Sequence, residues 1–196
     1  MIELPTDLAA DLVPLSWLLG VWEGTGVIDY RAAGRSFEGE FGHRVSFSHD
    51  GGDYLNYAAS AWMAADGSPL VAETGYWRLV RPAADADAGP GLLPASGSVR
   101  RTADDVEALR APSGGFDIEV ALVHSDGIGE LYLGQVRGPR IDIATDAVVR
   151  PESAKAYTAA TRMYGLVDGH LLWAWDIAAL GGELASHASA RLAKVS

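Results

Sequence analysis

The chain reads as a long succession of short extended segments punctuated by glycine-rich turns. Gly24 to Tyr30, 41–49 (FGHRVSFSH), 54–63 (YLNYAASAWM), 70–80 (LVAETGYWRLV), 117–124 (DIEVALVH), 129–136 (GELYLGQV), 139–146 (PRIDIATD), 157–166 (YTAATRMYGL) and 170–178 (HLLWAWDIA) all have strand character. HDGGD, ADGS, SDGIG and VDGH lie between successive segments and supply turns. Consecutive strands joined by tight turns pair antiparallel, and so many strands in one open sheet leave two long edges. Closing the sheet removes both. The fold expected is all-β, an antiparallel up-and-down β-barrel of about ten strands whose interior holds one small ligand.

Alternation supports this reading. In 129–136, Leu131 and Leu133 share one face while Glu130 and Tyr132 share the other. Residues 6–19 (TDLAADLVPLSWLL) predict a short N-terminal helical turn, interrupted by Pro14. The last segment, 183–195 (ELASHASARLAKV), suits either a helix or a final barrel strand. Residues 81–116, rich in Pro, Gly, Ala and Asp, are expected to be an insertion loop, with VRRTADDVEALR able to form a strand or a short helix. One barrel domain is expected over 1–196.

The 23 glycines, six tryptophans and seven tyrosines favour strands and turns over a helical bundle. There is no cysteine, which excludes disulfides, thiol catalysis and thiolate-bound metals. A formal charge of −11 opposes nucleic acid and anionic membrane surfaces. The acidic start, MIELPTDLAADLVPL, is unlike a signal peptide, and no uncharged apolar run is long enough to span a bilayer. A soluble cytoplasmic protein is expected. No nucleophile elbow, phosphate loop, HExxH or dinucleotide fingerprint is present.

LGVWEGTG, 19–26, sets Trp22 among Gly20, Gly24 and Gly26. Glycine permits close approach and sharp bends, and an indole fills a large apolar space, so Trp22 is expected to plug the closed end of the barrel. Of the five histidines, His170 follows Asp168-Gly169 at a turn. His43 and His49 are expected on a polar outer face. His124 ends a strand and is either exposed there or turned into the barrel near its rim. His187 reads by pattern as a surface residue. Its small neighbours Ala185, Ser186, Ala188 and Ser189 nevertheless leave room for a flat, bulky group beside its ring.

These motifs resemble the nitrobindins, small haem proteins with barrels like those of lipocalins and fatty-acid-binding proteins. GVWEGTG (20–26) is similar to the family's GxWxGxG motif. PLVAETGYWRL (69–79), ALVHSDGIGEL (121–131) and LASHASARLAKV (184–195) are similar, in order, to three further blocks. Tyr30-Arg31-Ala32 stands where many members carry Tyr-Pro-Thr, whose threonine contacts haem. The resemblance implies ferric haem b as cofactor and His187 as its proximal iron ligand. It places Leu70, Val71, His124 and Ile177 around the haem, with His124 on the distal side. It implies nitric oxide and peroxynitrite as small-molecule ligands, isomerisation of peroxynitrite to nitrate, and a homodimer as an expected assembly. The second nitrogen of His187 is expected to donate to a carbonyl or carboxylate.

A carrier of a fatty acid or another apolar ligand is the alternative. Such a carrier often clamps a carboxylate between Arg and Tyr, and Arg162 and Tyr164 share a strand face that suits this. Their direction, inward or outward, discriminates.

Overall fold

The computed structural model describes residues 8–32, 34–81 and 101–196. Ten strands follow one another: β1 (Gly20–Ala32), β2 (Arg35–Ser48), β3 (Tyr54–Met63), β4 (Pro69–Leu79), β5 (Phe116–His124), β6 (Gly129–Arg137), β7 (Arg140–Val149), β8 (Tyr157–Val167), β9 (His170–Ala179) and β10 (Ala185–Lys194). Each pairs antiparallel with its neighbour in sequence, and β1 pairs with β10 to close the barrel. The segment 183–195 thus supplies the final strand rather than a helix. Closure leaves the meander with no free sheet edge.

One end of the barrel is sealed. A 3-10 helix (Ala10–Leu18) lies across it with Leu12, Leu15 and Leu18 fully buried, packed against β3, β4 and β6. Trp22 sits just inside, and its indole Nε1 donates to the Leu18 carbonyl at 2.6 Å. The indole is therefore the expected plug, and its one polar atom is satisfied by the helix that covers it.

The motif glycines serve close approach. A Cβ on Gly24 would stand 2.3 Å from the Arg191 carbonyl oxygen. On Gly26 it would meet the Ser189 carbonyl at 2.4 Å and the Phe41 ring at 2.5 Å. Strands β2 and β10 thus crowd the inner surface of β1, and Phe41 fills the space a side chain would take.

The 81–116 segment lies largely outside the described residues. Its last part forms the short helix α1 (Ala103–Glu107), capped reciprocally by Thr102 and Asp105, with Val106 buried where α1 packs on the 3-10 helix. Among the described residues, no helix is long and apolar enough to cross a membrane.

Candidate functional site

Opposite the sealed end the barrel opens into a cavity of about 480 Å3, a volume suited to a small organic ligand or cofactor. His187, His124, Leu70, Val71 and Ile177 all line it. Phe37, Leu70 and Leu180 form an exposed apolar rim at the mouth, Leu70 being 41% exposed. Ile28, Val71, Trp175 and Ile177 contribute to the walls, and Phe41, His43, Tyr57, Glu73, Arg162, Tyr164 and Trp173 lie deeper.

His187 reaches the cavity through an irregularity of β10. Ser186 pairs with Asp176 and Ala188 with Trp175, so His187 is the extra residue of a β-bulge. Regular alternation with inward Ala188, Ala190 and Leu192 would turn His187 outward. The bulge sets two consecutive residues, His187 and Ala188, against the cavity. The surface position that the pattern suggested is corrected for that reason.

The His187 ring meets Tyr30 edge-on at 4.8 Å and Trp175 at 5.0 Å. Burial, helped by the positive charges of Lys155 and Arg162, lowers its pKa to about 4, so the imidazole is neutral near pH 7. Its Nδ1 is buried and, among the described residues, has no hydrogen-bond partner. The carbonyl or carboxylate expected beside it is not there, because Tyr30 and Trp175 enclose the ring and the Tyr30 hydroxyl is spent on the Ala179 carbonyl.

His124 is buried, not exposed at its strand end. Its Nε2 lies 2.6 Å from Glu130 Oε2, and the Glu130 side chain is wholly enclosed. Tyr132 donates to the other Glu130 oxygen at 2.7 Å, and Tyr157 donates to the same atom. Arg162 ties this group to Glu73. Its Nη1 and Nη2 donate to the two Glu73 oxygens at 2.6 and 2.9 Å, Nη2 also reaches Glu130 at 3.2 Å, and Nε donates to Tyr132 at 3.0 Å. Tyr57 donates to Glu73 at 2.5 Å. Burial alone would raise the Glu73 pKa, but the charge and hydrogen bonds of Arg162 override it and hold the group at about 2. Glu130 is lowered in the same sense, burial opposing and the His124 hydrogen bond and Arg162 prevailing.

Arg162 and Tyr164 both point inward, as a carboxylate clamp requires. The guanidinium is nevertheless committed on all three nitrogens to Glu73, Glu130 and Tyr132, and stacks 4.5 Å from the Trp175 ring. A fatty-acid carboxylate arriving there would meet two carboxylates already in place. Glu73, His124 and Glu130 also bring three ligand atoms within 4.8 Å of one another. Arg162 already donates to both carboxylates, and Tyr57, Tyr132, Tyr157 and His124 occupy their oxygens as well, so the three groups are engaged with protein partners.

Sequence reasoning misplaced His43. It is inward and only 5% exposed, not on an outer face. Trp173 Nε1 donates to its Nδ1 at 3.0 Å, and desolvation lowers its pKa to about 4. Glu73 was also missed as a cavity group, and Glu130 as the enclosed carboxylate behind it. The available signal was their parity: Glu130 falls in step with Tyr132 and Val136, which are buried, while Leu131 and Leu133 face outward. Elsewhere His170 stands at its turn, where Asp168 and Gly169 take positive φ angles of 49° and 73°.

Residues 11–194 match the model of the THAP4-like, heme-binding beta-barrel domain. The chain belongs to this family. A protein of Leifsonia xyli subsp. xyli named peroxynitrite isomerase is 65% identical over 99% of both chains. Proteins with the same name from Clavibacter michiganensis subsp. michiganensis and Paenarthrobacter aurescens are 61% and 52% identical, each over the whole of this chain and 99% or more of theirs. The crystal structure of Rv2717c from M. tuberculosis superposes with a TM-score of 0.69 at 28% identity, covering 99% of this chain and 100% of that one.

The residues present fit the family's haem. A neutral imidazole with no hydrogen bond to its Nδ1 among the described residues, set by a bulge against a cavity with apolar walls, is the donor chemistry haem iron takes. Lys155 lines the same cavity and supplies a cation for an acidic edge.

Proposed function

We propose that the chain is a ferric haem b protein that binds nitric oxide and isomerises peroxynitrite to nitrate, with His187 as the axial ligand. The observation that carries this reading is the bulge that turns a neutral His187 into the cavity, with no partner for its Nδ1 among the described residues. The names of the relatives and the haem-binding family support it. Held there by His187, ferric haem would supply a Lewis-acidic iron, and the conversion of peroxynitrite to nitrate needs no net electron.

The chain's own residues do the rest. His187 holds the cofactor by its lone pair, and Tyr30 and Trp175 fix its ring from two sides. Leu70, Val71 and Ile177 shield the site from bulk water. His124 would stand on the ligand side, its orientation fixed by Glu130 through Nε2.

Stopped-flow decay of peroxynitrite with hemin-loaded protein, with nitrate measured at the end, tests this function. Accelerated decay with nitrate as the main product is expected. Decay no faster than with the haem-free chain overturns it.

A further inference from the structure

The cavity holds one more histidine with a fixed polarity. An indole nitrogen can only donate. The Trp173 contact at 3.0 Å therefore requires a lone pair on His43 Nδ1, and the proton of the neutral ring must sit on Nε2. Among the described residues, Nε2 has no hydrogen-bond partner; His43 is only 5% exposed and lines the cavity, and this nitrogen is not among the fully enclosed atoms but opens onto it. An N–H that opens onto a cavity is free to donate to an acceptor bound there.

The surroundings keep the ring in this state. Phe41 packs edge-on to it at 5.9 Å and Trp173 at 5.1 Å, so burial disfavours a second proton. The Arg162 donors are spent on Glu73, Glu130 and Tyr132, and the Tyr57 hydroxyl on Glu73. His124 is held the other way round: its Nε2 faces a carboxylate, which can only accept, so that proton points into the protein. His43 thus offers the cavity a donor where those of Arg162 and Tyr57 are already engaged.

We propose that His43 is a substrate-binding residue whose Nε2–H donates to an oxygen or nitrogen lone pair of a small ligand in the cavity, and that Trp173 is the positioning residue that fixes it in the donor tautomer. This rests on the reading that the cavity takes a small nitrogen oxyanion. Burial keeps the ring neutral while Glu73 and Arg162 act on it in opposite senses, so the donor is a dipole and not a cation. It orients a bound molecule by its acceptor end rather than by charge.

Two measurements on the full chain decide the matter. The first is long-range 1H–15N NMR of the histidine rings in haem-free protein, during titration with nitrite. His43 is expected as the Nε2–H tautomer, with its Nε2 resonance shifting as nitrite is added, and Trp173→Phe is expected to release a mixture of tautomers. The second is the azide affinity of hemin-loaded protein. His43→Leu is expected to weaken azide about tenfold, the worth of one hydrogen bond, while His43→Gln, which keeps an N–H, stays near the wild type.

An Nδ1–H tautomer overturns the inference. Equal azide affinity in the wild type and His43→Leu does so as well. Failure of the wild type to take up hemin would overturn the proposed function instead. The nitrite titration then decides on His43, and an unmoved Nε2 resonance refutes the donor role.

Discussion

His187 and Ala188 are consecutive, yet both face the interior of the barrel, because a bulge between Ser186 and Ala188 breaks the alternation of β10. The orientation of the proposed iron ligand therefore depends on one extra residue in the strand. Deleting Ser186 is expected to restore the regular pairing and turn His187 to the outer surface. Hemin titration should then lose its Soret shift, while far-UV circular dichroism still reports a β-barrel. Full hemin binding by the deletion variant would contradict this placement.

The Arg162–Glu73 pair holds the polar floor together. Removing one member leaves a buried charge without its partner. Arg162→Met is expected to cost about 3–5 kcal/mol in urea unfolding. Adding Glu73→Gln and Glu130→Gln to that variant should recover much of the loss, since the orphaned charges are gone. A single variant within about 0.5 kcal/mol of wild type, the usual range for a surface change, would show the pair to be unimportant.

Stability should fall in two stages as the solution is acidified. His43 and His187 have folded pKa values of about 4 against 6.5 for the ordinary group. Above 6.5 both states are neutral and their contribution is complete; below it the unfolded chain takes the protons first, and the contribution is lost down to about 4. Glu73, at about 2 against 4.5, contributes above 4.5 and loses its contribution as pH falls towards 2. Urea midpoints measured from pH 7 to 3 should show both stages. His43→Gln should flatten the first, by about 3 kcal/mol at most. Parallel curves for the variant and the wild type would refute the assignment to His43.

The glycines of the first strand are expected to be intolerant for steric reasons. Gly26→Ala puts a methyl group against Ser189, Phe41 and Ala190, all within 2.7 Å of the new carbon, and should cost about 1–3 kcal/mol. Gly129→Ala meets nothing nearer than 3.9 Å and should stay within about 0.5 kcal/mol of wild type. Thermal unfolding of the two variants checks the contrast, and equal losses would contradict it.

The strands and turns were legible because a barrel meander writes its period and its punctuation into the sequence. Val-Asp-Gly-His at 167–170 announces a hairpin from its own chemistry. The site was legible only in part. His124, Leu70, Val71 and Ile177, which the family resemblance singled out, line the cavity. Pattern alone set His187 outside, since a period of two has no place for a bulge. His43 and Glu130 were hidden for a different reason: hydrophobic residues are expected inside, but here the inward parity carries polar groups that find partners across the barrel, His43 with Trp173 and Glu130 with Arg162. Glu73 on β4 meets Arg162 on β8, a pairing that no local stretch of sequence displays.

A hemin titration of the haem-free chain, followed at the Soret band beside His187→Ala, tests the haem assignment most directly. A saturable one-to-one shift in the wild type, lost in the variant, is expected. An equal shift in both proteins, or none in the wild type, would contradict His187 as the ligand of a haem in this barrel.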